Sequence, residues 1–136
     1  MSPFELLEHT ADIGIAVRGE DLETFFRDAA KGLFAVIYEG GVEGWPAEHT
    51  VRLEAPDPES LLVDWLSELL YLFDVKNFFF NDATFTALNA TCLEARCAGT
   101  QLKSVLPGTE VKAITHHLLK IDRTARGYEA NIYFDL

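Results

Sequence analysis

The 136-residue chain is 49% hydrophobic and 24% charged, with ten Phe, four Tyr and two Trp, a composition that suits one globular domain with a substantial core and excludes a disordered or fibrous chain. Its formal net charge of -11 opposes tight direct binding to nucleic-acid phosphates and favours solubility, a bound cation or a basic protein partner. The start, Met1-Ser2-Pro3-Phe4-Glu5, is not a signal peptide, and no apolar run approaches the roughly 20 residues of a membrane span, so a cytoplasmic protein with no membrane contact is expected.

In chain order, Ile13, Ile15 and Val17 alternate and predict a first strand ending at Gly19. Asp21 then reads as an N-cap, and Leu22, Phe25, Phe26, Ala29, Ala30, Leu33, Phe34 and Ile37 fall on one helical stripe that Gly40-Gly41 terminates. Residues 40–49 read as a loop, and Val51, Leu53 and Ala55 as a short strand. Asp57-Pro58 opens a second helix, with Asp57 as N-cap and Pro58 at the first helical position. Its stripe from Leu61 to Phe73 is wide enough to be packed between other elements. Residues 74–82 read as a turn region holding the triplet Phe78 to Phe80. Two strands follow around an Asn89-Ala90 turn, then a loop over 99–108, a strand from Val111 to about Ile121, a turn over 122–127 and a last strand from Tyr128 to Asp135. The order predicts a single α+β domain, a mixed or mainly antiparallel sheet with two helices packed on one face.

Phosphate-binding glycine motifs, a nucleophile elbow and His-Glu-x-x-His are all absent. Cys92 and Cys97, five apart on a predicted strand, point to opposite faces, so they neither bridge each other nor have zinc-ligand spacing; they read as free thiols in a reducing compartment. Three segments stand out. His9 and Asp12 precede the first strand three apart, a spacing that by itself reads as a turn with Asp12 accepting backbone N–H groups and His9 on the surface. Asp135 lies one residue from the last carboxylate, and the apolar face Tyr128, Ala130, Ile132 and Phe134 predicts that this strand stays docked to its end; if Asp12 folds beside it, the oxygen donors suit a hard cation such as calcium or magnesium. Glu110-Val111-Lys112-Ala113-Ile114-Thr115-His116-His117 alternates like a strand and puts Lys112 and His116 on one face, where both could line one groove or Lys112 could form a cross-strand salt bridge.

Taken together, His9-Thr10-Ala11-Asp12, the second-helix run Leu61-Leu62-Val63-Asp64-Trp65-Leu66 with Glu68-Leu69-Leu70-Tyr71, Glu110 to His117, and the next-to-last Asp135 resemble the archease family over essentially the whole chain. The resemblance implies an archease-like domain over residues 1–136 that has no catalytic residues and is not an enzyme. It implies a protein cofactor of the GTP-dependent RNA ligase of tRNA splicing and RNA repair, promoting the ligase's guanylylation and multiple turnover. It also implies an alternative partner, a tRNA methyltransferase served in a chaperone-like way. By the same resemblance a divalent cation, calcium with magnesium or manganese as alternatives, maps onto Asp12, Asp135 and the main-chain or terminal oxygens of Leu136. His9, Lys112 and His116 become supporting or partner-contact residues. Two departures are visible: His116 stands where many archeases have Tyr, and Leu106-Pro107-Gly108 stands where they have a loop His. Two competing readings remain. A metal-dependent phosphoester hydrolase would have only His9, Lys112 and His116 as reacting groups, and an interaction module would expose an apolar patch at Phe78–Phe80.

Overall fold

The computed structural model describes residues 3–8, 12–107 and 110–136. In chain order its elements are β1 (Phe4–Glu8), β2 (Asp12–Gly19), α1 (Leu22–Ile37), β3 (Gly44–Glu54), α2 (Pro58–Lys76), β4 (Phe78–Leu88), β5 (Cys92–Leu102), β6 (Ala113–Ile114), β7 (Asp122–Thr124) and β8 (Gly127–Asp135). Asp21 caps α1, its Oδ1 accepting from the Thr24 N–H at 2.7 Å. Asp57 caps α2 in the same way, accepting from the Ser60 N–H at 2.7 Å, and α2 ends on Asn77 in the left-handed conformation. These are the helix starts that the sequence predicts.

The fold is α+β with antiparallel strands, as expected, but the strands divide between two sheets. One has the order β1-β2-β8-β6, with β7 also paired to β8; the other has the order β3-β5-β4. The helices cover the inner face of each: α1 packs against β2 and β4, and α2 against β3, β4 and β6. This two-sided packing explains the wide apolar stripe of α2. Trp65, Phe25, Phe26, Phe78 and Phe134 are fully buried between the layers, each such side chain contributing about 2–3 kcal/mol of transfer free energy. The Trp65 Nε1–H donates to the Phe26 carbonyl oxygen at 3.0 Å, joining the two helices inside the core. The outer face of the second sheet is polar, with Arg52 Nε and Thr86 Oγ1 both donating to the Glu94 carboxylate.

Four sequence expectations are corrected. β1 was not foreseen; it is a short strand at the edge of its sheet, of mixed composition. β3 begins at Gly44, so most of the expected loop over 40–49 is strand; Pro46 is tolerated because β3 is an edge. The expected turn over 74–82 is the last turn of α2 followed at once by β4, since Asn77 reverses the chain in one residue. The expected strand from Val111 to Ile121 is paired only at Ala113–Ile114: the chain then turns, with the Leu119 N–H donating to the His116 carbonyl oxygen and Leu118 at φ 54.

Candidate metal centre

The candidate site lies at one end of the first sheet. Asp12, the first residue of β2, is the register partner of Asp135, the last residue of β8. Antiparallel register partners carry their Cβ atoms about 4.5–5.5 Å apart, so the backbone pairing brings two aspartate positions to the same end of the sheet. Asp135 is also the partner of Ala113 across β6. The Lys112 N–H donates to the Asp135 carbonyl oxygen at 2.8 Å, and the Thr115 N–H to that of Tyr133 at 3.0 Å. The Asp135 backbone is thus held from both sides while the residue itself is exposed, and Leu136 beyond it is also exposed.

The surroundings add negative potential. Ile37, the last residue of α1, lines a hollow with Ile13, Tyr38, Glu39 and Pro107, and also a cleft with Phe73, Asp74, Asn77 and Val111. Both helix C-termini therefore reach this end of the molecule, and the last turn of α1 carries no basic residue to offset its carbonyls. Burial, and after it the charge of Glu110, raises the Asp74 carboxyl above its ordinary value. The donor set fits the implied cation in kind: carboxylate and main-chain oxygens, with no thiolate or imidazole from the described residues, suit calcium or magnesium better than zinc. Among the described residues no three His, Cys, Asp or Glu side chains converge on one point.

Residues 4–136 match the sequence model of the Archease protein family (MTH1598/TM1083). The chain belongs to the archease family. It is 36% identical to the protein archease of Methanosarcina mazei over 144 residues, covering 98% of this chain and 95% of that one. It is 39% identical to the protein archease of Thermococcus kodakarensis over 134 residues, covering 93% of each. The solution structure of Methanobacterium thermoautotrophicum protein 1598 is similar with a TM-score of 0.76 at 30% identity over 100% of both chains. The crystal structure of an archease, described as a possible chaperone, from Thermotoga maritima shares the fold with a TM-score of 0.71 at 22% identity, covering 96% of this chain and 94% of that one.

Within this archease fold the residues singled out in the sequence separate. Asp12 and Asp135 come together through strand register, with Leu136 next to them. Lys112 reaches the same end through its backbone bond to Asp135, and its side chain is exposed. His9 lies outside the described residues. His116 does not share a strand face with Lys112, because the chain leaves β6 after Ile114. It stands instead by the N-terminus of α2. There the Asp57 carboxyl is held below its ordinary value, first by hydrogen bonds from Ser60 and further by the charge of His116. His117 is exposed, its ring 6.2 Å from that of Tyr133. The Phe78–Phe80 triplet is not a surface patch: all three residues are buried, two of them in ring contact with Phe34. Both cysteines are free thiols. Burial, and after it the charge of Glu48, pushes the Cys97 thiol up to about 12, which removes it as a nucleophile near neutral pH. Sequence reasoning missed the facing of Asp74 and Glu110, which depends on how the chain before β6 folds back over the end of α2. No helix among the described residues is long and apolar enough to cross a membrane.

Proposed function

We propose that the protein is a non-enzymatic cofactor of a GTP-dependent RNA ligase, promoting the ligase's guanylylation and multiple turnover through a divalent cation held by Asp12, Asp135 and a main-chain oxygen of Leu136. The observation that carries the reading is the register pairing of Asp12 with Asp135 at an end where the C-terminus of α1, with no basic residue in its last turn, adds negative potential. Membership of the archease family supports the choice of partner. The net charge of -11 suits docking at the basic mouth of an RNA-handling enzyme, where complementary charge speeds and orients association. A bound cation supplies neutralisation of phosphate charge. The protein's own residues orient it: β6 and β2 fix the Asp135 backbone, and exposed Lys112 lies beside it.

The test is multiple-turnover ligation by the cognate GTP-dependent ligase with wild-type protein and with Asp135→Ala. Stimulation by the wild type and a loss in the variant of roughly 10- to 100-fold, the range seen when the partners of a metal ligand are removed, is expected. No stimulation by correctly folded wild type would overturn the ligase partner, and the methyltransferase would become the assay of choice.

A further inference from the structure

Beside the paired aspartates lies a second concavity that they do not explain. Its volume is about 320 Å³, and it opens between the C-terminal ends of the two helices and the chain leading into β6. The walls are apolar: Ile37 and Phe73 from the helices, Val105 and Leu106 from the loop. Val105 stands exposed at the rim. Asp74 and Glu110 also line this cleft, close enough for the charge of one to act on the other. Among the described residues no Lys, Arg or His lines it, and neither carboxylate is in an ion pair with one of them. Two like charges held on a greasy wall, one of them partly desolvated, repel each other and are relieved by a cation that brings its own apolar stem.

We propose that this cleft is a receptor for a basic side chain of a protein partner, its aliphatic stem lying on Phe73, Ile37 and Leu106 and its charged head set between Asp74 and Glu110. An arginine fits best. Its planar guanidinium has donors enough for both carboxylates, is more weakly hydrated than an ammonium, and stacks on an aromatic ring. A bare divalent cation gains nothing from the apolar walls, which argues for a side chain over an ion. The proposal rests on the partner-binding reading above only in taking the arginine from a protein. The cleft shares no side chain with the Asp12–Asp135 pair.

The test uses the full chain, labelled with ¹⁵N, and two tripeptide probes. They are acetyl-Leu-Arg-Leu-amide and the same peptide with uncharged citrulline. Expected are amide shifts confined to the cleft, centred on Phe73, Asp74, Glu110 and Val111, with the arginine peptide binding at least about tenfold more tightly, since charge-assisted bonds carry the difference. Asp74→Asn and Glu110→Gln should each remove most of that preference while leaving the rest of the amide spectrum in place. Equal binding of the two peptides, or shifts outside the cleft, would overturn the proposal. So would calcium alone moving the Phe73 and Asp74 amides of the Asp135→Asn protein at lower concentration than the arginine peptide. Because the probes need neither a ligase nor Asp12 and Asp135, failed ligase stimulation with intact peptide binding would reject the partner and keep the cleft.

Discussion

Tyr133 lies over Gly14. The two residues are register partners on β8 and β2, and a Cβ at position 14 would sit 2.6 Å from Tyr133 Cδ1 and 3.0 Å from the Ile132 carbonyl oxygen. The ring is only 8% exposed although it stands on the face turned away from the helices. It shields the strand pair two residues before the strands end at Asp12 and Asp135. Gly14→Ala should therefore cost about 1–3 kcal/mol by overpacking. Urea unfolding of Gly14→Ala, Tyr133→Val and the double variant checks this. The double variant should be more stable than the sum of the singles allows, because the smaller side chain makes room for the methyl group. Strict additivity would show that the ring swings aside without cost.

Trp65 ties the two helices together from inside. Its indole is fully buried and its N–H reaches the Phe26 carbonyl oxygen. Trp65→Phe keeps most of the apolar area but leaves that oxygen without its partner and opens space, so a loss of about 2–4 kcal/mol is expected. Thermal unfolding followed by far-UV circular dichroism reads it. A loss below that range would mean the core closes around the smaller ring.

Stability should respond to acid through two aspartates of opposite sign. The backbone and side-chain hydrogen bonds of Thr24 hold the Asp21 carboxyl below its ordinary value of 3.8. The folded state thus releases this proton more readily than the unfolded chain, and the stabilisation is present above 3.8 and lost as pH falls through the lowered folded value. Asp74 is the reverse: burial makes its folded state hold the proton more tightly, so its contribution to stability declines as pH rises from 3.8 through the raised folded value. Asp21→Ala should be less stable near neutral pH by about 1 kcal/mol, the ordinary worth of an N-cap, with the gap narrowing in acid. Asp74→Asn should be more stable than wild type near neutral pH and no different well below 3.8. Chemical denaturation across that range, variant against wild type, would expose either sign as mistaken.

Calcium should raise the melting temperature of the wild type. A ligand at about a hundred times its Kd that binds only the folded state adds about 2.7 kcal/mol. Asp12→Asn and Asp135→Asn should abolish the shift, whereas Glu48→Gln on the other sheet should retain it. An equal shift in all four proteins would point to non-specific screening of the acidic surface.

The helices were legible because their signals are local. Asp21 and Asp57-Pro58 mark the starts, and the apolar stripes run uninterrupted to Ile37 and Phe73. The edge strands were not. β3 hides behind Gly44-Trp45-Pro46 and an outward row of Glu48, Thr50 and Arg52, because an edge needs fewer apolar residues than a centre. The turn after Ile114 was invisible because Leu118 adopts a positive φ that its side chain does not advertise. At the site, the sequence offered carboxylates of the right kind but not their facing. That follows from β2–β8 register, and the Asp74–Glu110 approach from loop placement; neither leaves a mark on neighbouring residues.

The position of β8 has a temporal consequence. It lies far from β2 in sequence, yet it sits inside its sheet, between β2 and β6. A nascent chain can form the β1–β2 hairpin and both helices early, but its first sheet stays split until residue 135 has been made and inserted. Pairings this distant in sequence are slow to form. The aspartate pair therefore forms only when this long-range pairing closes the sheet. Copies in which β8 is missing or misthreaded lack it, so a partner that reads this end of the molecule engages only chains whose first sheet has closed.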